Sequence, residues 1–356
     1  MTAQMVQETA EAERDGTRMK ARRLRTSVRL NNDVGVAEFV ELAQIAEAGG
    51  IDQIWVSNDM FFHSAPVMLA AAAVATRSIG LGTCVLNPYS MHPAEIAMVC
   101  ATMQELSGDR FLLGLAAGAA DMLGWAGITR DAPLRRTAEA VVAIRSLCAG
   151  GAPADTTDSG AGWQPEGRLR LPARPTPVYL GAMSPRMHRL AGSLADGALP
   201  LLYPPESFGE VMANIAEGAI AAGRDPDDLD VAACVWVSIG DDPEVADRRL
   251  ADKLVYFGPS FSPTVLDRVG VTAADLAPLR SLDPDDAARA LPAAMMSLGI
   301  SGSPDAVVER CRGLLDAGAR HLSFGPPLGD DRRLAIRLLA EHVVPALRGG
   351  DHANVR

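Results

Sequence analysis

Lysine is nearly absent from this chain. Only Lys20 and Lys253 are lysines among its 33 basic residues, so an anionic ligand has to be met by arginines, backbone amides or helix N-termini. Basic charge is short as a whole: 44 acidic residues bring the net charge to −11. With no basic stripe in the sequence, a nucleic-acid partner is not expected. The five cysteines (Cys84, Cys100, Cys148, Cys234 and Cys311) form no C-x-x-C pair. They read as reduced thiols of a cytoplasmic protein rather than a disulfide frame or zinc site. No apolar run is long enough to span a bilayer, and the N-terminus lacks a signal-peptide core, so no membrane association is expected. His92 and His188 have no partners at metal-ligand spacing, and H-E-x-x-H, phosphate-loop lysine and G-x-S-x-G motifs are missing. A metal centre, a kinase and a hydrolase are therefore not indicated.

What is present is an ordinary globular composition, 48% hydrophobic and 22% charged over 356 residues. That length suits two domains or one α/β barrel with insertions. Residues 1–23 are polar and charged and read as a disordered or loosely docked extension. Strand and helix patterns then alternate. Apolar runs at 24–30, 51–57, 79–86, 110–115, 177–181, 198–202, 229–238 and 321–324 read as strands. Helical periodicity follows at 36–48, 65–76, 93–107, 134–148, 185–194, 206–222, 304–316 and 332–347. The unit at 79–120 shows the logic: a buried strand broken at Asn87-Pro88-Tyr89, a helix opened by Pro93 and stopped at Gly108-Asp109, then a second strand. Eight such pairs predict a TIM (β/α)8 barrel spanning 24–348, with a helical insertion after strand seven at about 241–298 and a tail at 349–356. Residues 149–175, rich in Gly, Pro, Asp and Thr, read as a long irregular connection.

In a barrel of this kind chemistry sits at the C-terminal ends of the strands. Ser184-Pro185 is a strong helix start behind Gly181-Ala182: a capping serine, then proline at the first helical position. Its free backbone N–H groups suit a phosphate or carboxylate, with Arg186 as an added donor; the alternative is a cap with no ligand. A weak echo recurs at Ser303-Pro304. The small residues 114–120 permit close approach of a ring or backbone, although the G-x-G-x-x-G spacing is absent; tight layer packing explains them equally. Asn58-Asp59 ends the second strand and is either a site pair or a cap for the next helix. Cys84 by itself reads as a buried thiol.

The segments GTCVLNPYSMHPAEIA (82–97) and ELSGDRFLLGLAAGA (105–119) resemble the luciferase-like family of flavin and deazaflavin TIM barrels. So do PVYLGAMSP (177–185), LADGA (194–198) and FGPPLG (324–329), in family order over roughly 25–347. Among the branches, the coenzyme F420-dependent methylenetetrahydromethanopterin reductases are the most similar. The resemblance implies a non-proline cis bond at Cys84–Val85 that backs the tricyclic ring. It further implies cofactor contacts from Cys84, Val85, Asn87, Ala116, Ala117, Gly118 and Ala119, and from Gly181, Ala182, Met183, Ser184, Pro185 and Arg186.

Three positions depart from the reductase pattern. Asn58-Asp59 stands where an Asp-His pair is usual, Ala119 replaces an acidic residue with Asp121 two positions on, and Arg29 replaces a glutamate of the first strand. Arg29, Asn58 and Asp59 are accordingly the candidate catalytic positions, with Asp59 or His63 as proton source. The resemblance implies an F420-dependent oxidoreductase that transfers hydride between the deazaflavin C5 and an electrophilic carbon of a small molecule. An FMN-dependent monooxygenase on the same frame and a non-catalytic cofactor-binding protein are the alternatives. A homo-oligomer, dimer or tetramer, is expected from the resemblance alone.

Overall fold

The first strand, RTSVRL, buries all but its leading residue, as expected of a parallel strand covered by helices on one side and barrel interior on the other. The computed structural model describes residues 23–156 and 162–349. Apart from Arg23 and Gly349, the expected extension and tail therefore lie outside the described residues. Around the barrel run β1 (Arg25–Leu30), β2 (Gln53–Val56), β3 (Gly80–Thr83), β4 (Phe111–Leu115), β5 (Val178–Ala182), β6 (Gly197–Pro200) and β7 (Asp230–Ile239). A short β8 (Gly299–Gly302) precedes β9 (His321–Leu328).

All neighbouring strands pair in parallel. The eight-stranded circle closes where β6 meets β7 and β9 meets β1. This is the TIM barrel that the alternation predicts. Its outer helices include α1 (Val36–Ala48), α2 (Ala65–Ala75), α3 (Pro93–Ser107), a short α4 (Ala120–Trp125), α5 (Pro133–Cys148), α6 (Pro185–Leu194) and α7 (Pro205–Ala221). Proline occupies the first turn of α2, α3, α5, α6 and α7, where its missing N–H costs nothing.

Three details differ from the periodicity reading. A ninth strand exists: β8 pairs along the end of β7, from Trp236↔Gly299 to Ile239↔Gly302. Its Gly-Ile-Ser-Gly sequence is too short and too small to carry a strand pattern. The final strand continues through Pro326-Pro327 to Leu328, past residues that ordinarily end one. The β3 ladder stops at Thr83 and resumes only as a bridge between Leu86 and Leu115. Between them the Cys84–Val85 bond is cis.

After β7 the chain forms α8 (Pro243–Phe257), α9 (Pro263–Asp267), α10 (Ala273–Leu276) and α11 (Pro284–Ala290). Leu250, Leu254, Leu266, Leu276 and Met295 give these helices an apolar core of their own, packed on Leu202 and Trp236 at the barrel mouth. Helices α12 (Pro304–Asp316), α13 (Arg332–Leu338) and α14 (Val344–Gly349) finish the outer ring.

The opposite end of the barrel is plugged by hydrogen bonds. His321, fully buried, places Nδ1 at 3.2 Å from both Asp230 carboxylate oxygens and Nε2 at 2.8 Å from Ser27 Oγ. Tyr179 Oη donates to Asp230 at 2.7 Å, and Arg25 pairs with the same carboxylate. This Ser–His–Asp chain is sealed at the end away from the mouth, so it fastens β1, β7 and β9 and serves no nucleophile.

Candidate functional site

The mouth is assembled from strand ends. Asn32, buried just after β1, organises the loop beyond β2: its Nδ2 donates to the Asp59 and His63 carbonyls at 2.9 and 2.6 Å, and its Oδ1 accepts from Ser57 Oγ at 2.8 Å. Only its place directly after a buried strand marked it in the sequence. Asn58 Oδ1 accepts from the Ala65 backbone N–H at 3.0 Å, so this side chain caps α2. Asp59 faces the mouth, where burial raises its carboxyl above the ordinary value, against the Ser57 hydroxyl and the Lys253 charge. The exposed His63 sets its Nδ1 3.1 Å from the Asn32 carbonyl, which fixes a proton there because a carbonyl only accepts.

Arg29 lies under this rim. It is 6% exposed, donates from Nη2 to the Val235 carbonyl at 2.9 Å, and leaves Nε buried with no partner. Its charge reaches the Cys84 thiol, which burial nonetheless pushes up to about 12. Lys253, from α8, places Nζ 4.7 Å from the Trp236 ring centroid and 4.6 Å from that of Phe257. Burial and then the Arg29 charge draw its ammonium down to about 8, with Asp33 and Asp59 pulling the other way. Sequence reading singled out Lys253 as a rare lysine but gave it no place in the site. Its arrival depends on how the inserted helices fold over the mouth.

Across the mouth, Val85, Ala116 and Gly181 meet. A Cβ on Gly181 would stand 3.0 Å from the Ala116 Cβ and 3.4 Å from a Val85 methyl, so glycine keeps this wall flat. Asn87, 5% exposed, turns its Oδ1 back to the Tyr89 and Ser90 N–H groups at 3.1 and 2.9 Å and packs against Gly118. Ala117 is buried, and Ala119 leads directly into α4. Phe61 and Trp125, both largely exposed, approach to 6.3 Å at the rim.

Beside the wall, Ser184 caps α6, its Oγ accepting from the Met187 N–H at 3.4 Å, and Pro185 occupies the first turn. Arg186 is exposed there and has no ion-pair partner among the described residues. The Ala182 carbonyl accepts from His188 Nε2 at 3.3 Å, and the Met183 carbonyl accepts from Arg268 at 3.4 Å. Arg268, which the sequence did not flag, also stacks 3.5 Å over the Tyr203 ring. A cavity of about 260 Å³ opens between Pro185, His188, Tyr203 and Arg268, with the Glu210 and Asp267 carboxylates also on its lining. His188 Nδ1 and the Tyr203 hydroxyl are buried without partners beside it. Burial draws His188 down to about 4, so its imidazole is neutral. Among the described residues no three His, Cys, Asp or Glu side chains group as metal ligands.

The family model described as luciferase-like monooxygenase matches residues 19–321. The chain belongs to the luciferase-like monooxygenase family. Among its luciferase-like relatives, the 5,10-methylenetetrahydromethanopterin reductase of Methanolobus tindarius is 33% identical, over 87% of this chain and 96% of that one. The enzyme of the same name from Archaeoglobus fulgidus is 31% identical, over 89% and 97%. The solved coenzyme F420-dependent tetrahydromethanopterin reductase of Methanopyrus kandleri superposes with a TM-score of 0.84 at 26% identity, covering 91% of this chain and 99% of that one. No helix among the described residues of this family member is long and apolar enough to cross a membrane.

Proposed function

We propose that this chain is an F420-dependent oxidoreductase acting on a small molecule, built on the methylenetetrahydromethanopterin reductase frame. The observation that carries the reading is the flat wall of Val85, Ala116 and Gly181 set beside the capped start of α6. A tricyclic ring needs the first and a phosphate the second. The donor set fits the group: Ser184 and the free N–H groups of α6, Arg186 and Arg268 offer positive potential in an otherwise acidic protein. The unpaired His188 Nδ1 and Tyr203 hydroxyl await polar partners in the adjoining cavity. Relatives that share the frame bear F420 dependence in their names.

When bound, the deazaflavin supplies a hydride equivalent at its C5. The chain's own residues do the rest. Val85, Ala116 and Gly181 give the ring a face to rest on, and Phe61 with Trp125 lines the rim with apolar surface. Asp59 holds a carboxyl with a raised proton affinity, suited to moving a proton near the reacting carbon. Asn58, committed to α2, positions that loop. Arg29 brings a buried positive charge to the mouth, at a position where the resemblance to the reductases implies a glutamate. The five free cysteines support a cytoplasmic location. Exposed Val67, Val74, Met98 and Leu106 on α2 and α3 support a homo-oligomer.

Fluorescence titration of the purified protein with oxidised F420 and, separately, FMN tests the proposal. Binding of F420 at least tenfold tighter than FMN is expected. The reverse preference points to an oxygen-using monooxygenase, and binding of neither refutes the site assignment.

A further inference from the structure

We propose that Arg29 and Lys253 together form a subsite for a carboxylate of the substrate at the floor of the barrel mouth. The inference rests on the oxidoreductase reading and adds the substrate's charge class to it. Arg29 is a permanent cation, and among the described residues it enters no ion pair. Its hydrogen-bond partners are neutral, the Val235 carbonyl and the Cys84 thiol, and its Nε is left without a partner. A buried cation with no counter-anion is costly to maintain.

Lys253 repeats the pattern from the other side. It forms no ion pair among the described residues, and its Nζ is held by the rings of Trp236 and Phe257. Rings hold an ammonium without consuming its N–H donors or neutralising it. Val235 and Trp236 are consecutive on β7, so the same stretch of one strand contacts both cations. The groups acting on Lys253 are Arg29 and Arg332, which repel it, and Asp33 and Asp59, which attract it without pairing. A carboxylate between the two cations would meet the fork of a guanidinium and the donors of an ammonium, and would relieve their mutual repulsion. Cys84, beside Arg29, keeps its proton and offers no competing anion.

The test uses the full chain and a matched pair of probes, crotonate and its uncharged amide crotonamide, measured by calorimetry with and without oxidised F420. Crotonate is expected to bind at least tenfold more tightly than crotonamide. The Lys253→Met variant should lose most of that preference and leave crotonamide unchanged, whereas Lys253→Arg should retain it. The wild-type preference should fade as pH rises through about 8, where Lys253 releases its proton, and persist in Lys253→Arg. Equal affinity for the two probes, or a preference unaffected by Lys253→Met, overturns the subsite. Tighter binding of inorganic phosphate than of crotonate, lost in Lys253→Met and so distinct from phosphate held at α6, overturns the carboxylate assignment. Titrating the same preparation with F420 separates the two proposals. A carboxylate preference without F420 binding sustains the subsite and removes the cofactor reading. F420 binding without the preference removes the subsite alone.

Discussion

Arg29 and Gly325 share one volume. A Cβ placed on Gly325 would fall on the Arg29 Nη2 atom and stand 3.0 Å from the Val235 carbonyl oxygen that holds it. The guanidinium reaches across β9 to β7 only because β9 has no side chain at that point. Gly325→Ala should therefore destabilise the protein by about 1–3 kcal/mol through overpacking. In an Arg29→Ala background the penalty should shrink, giving a coupling of about 0.5 kcal/mol or more in urea denaturation. Identical penalties in both backgrounds would show that Gly325 serves something other than the arginine.

Asn58 and Asp59 separate by experiment. Because Asn58 Oδ1 caps the Ala65 N–H, Asn58→Ala should cost about 1 kcal/mol of stability, while Asn58→Asp keeps an acceptor there. Asp59→Asn removes the carboxyl and should lower turnover at least tenfold with F420 affinity intact. Should the Asn58→Ala, Asp59→Ala double variant turn over like wild type, neither residue handles the proton.

Two serines provide matched caps. Ser184 Oγ accepts from Met187 at 3.4 Å at the start of α6, and Ser303 Oγ accepts from Ala306 at 3.4 Å at the start of α12. Replacing either by alanine should cost about 1 kcal/mol in thermal or chemical unfolding. Only Ser184→Ala should also weaken F420 binding, by several-fold in a fluorescence titration. Equal effects on F420 affinity would count against a phosphate at α6.

The plug at the far end of the barrel makes a pH-dependent contribution. Burial works against the Asp230 carboxylate, but His321, Arg25 and Tyr179 hold it well below its ordinary value of 3.8. A depressed carboxylate stabilises the fold above its unfolded value, and that contribution disappears as pH falls toward the folded one. Stability should thus decline as pH drops below about 4. Asp230→Asn should cost about 3 kcal/mol at pH 7 and flatten that acid limb. A variant with the same acid limb as wild type would place the sensitivity elsewhere.

Much of this was legible residue by residue. The helix over 36–48 and the helix over 185–194 match Val36–Ala48 and Pro185–Leu194 end to end, because glycine, serine and proline signals bound them locally. The Ser184 cap and the Cys84–Val85 bond stand where motif and resemblance put them. The losses share a cause. Strand β8 has no pattern of its own and is a strand because the end of β7 offers it a ladder. Helix α4 begins where the small residues 114–120 end and is too short to show a period, and the last strand passes through two prolines that local rules treat as a stop.

The sequence by itself determined the barrel, since short apolar runs alternating with period-3.6 apolar patterns leave few ways to bury both kinds of element. It likewise determined which strand ends carry polar or small residues. Tertiary structure alone decided which of those groups meet. Arg29, Val235, Trp236, Lys253 and Gly325 come from four separate segments, and Ser27, Asp230 and His321 from three. Ring closure and the fold of the inserted helices bring them within reach of one another. Short-range patterns hold no record of such contacts, because the energy that selects them arises only once the segments share a buried space.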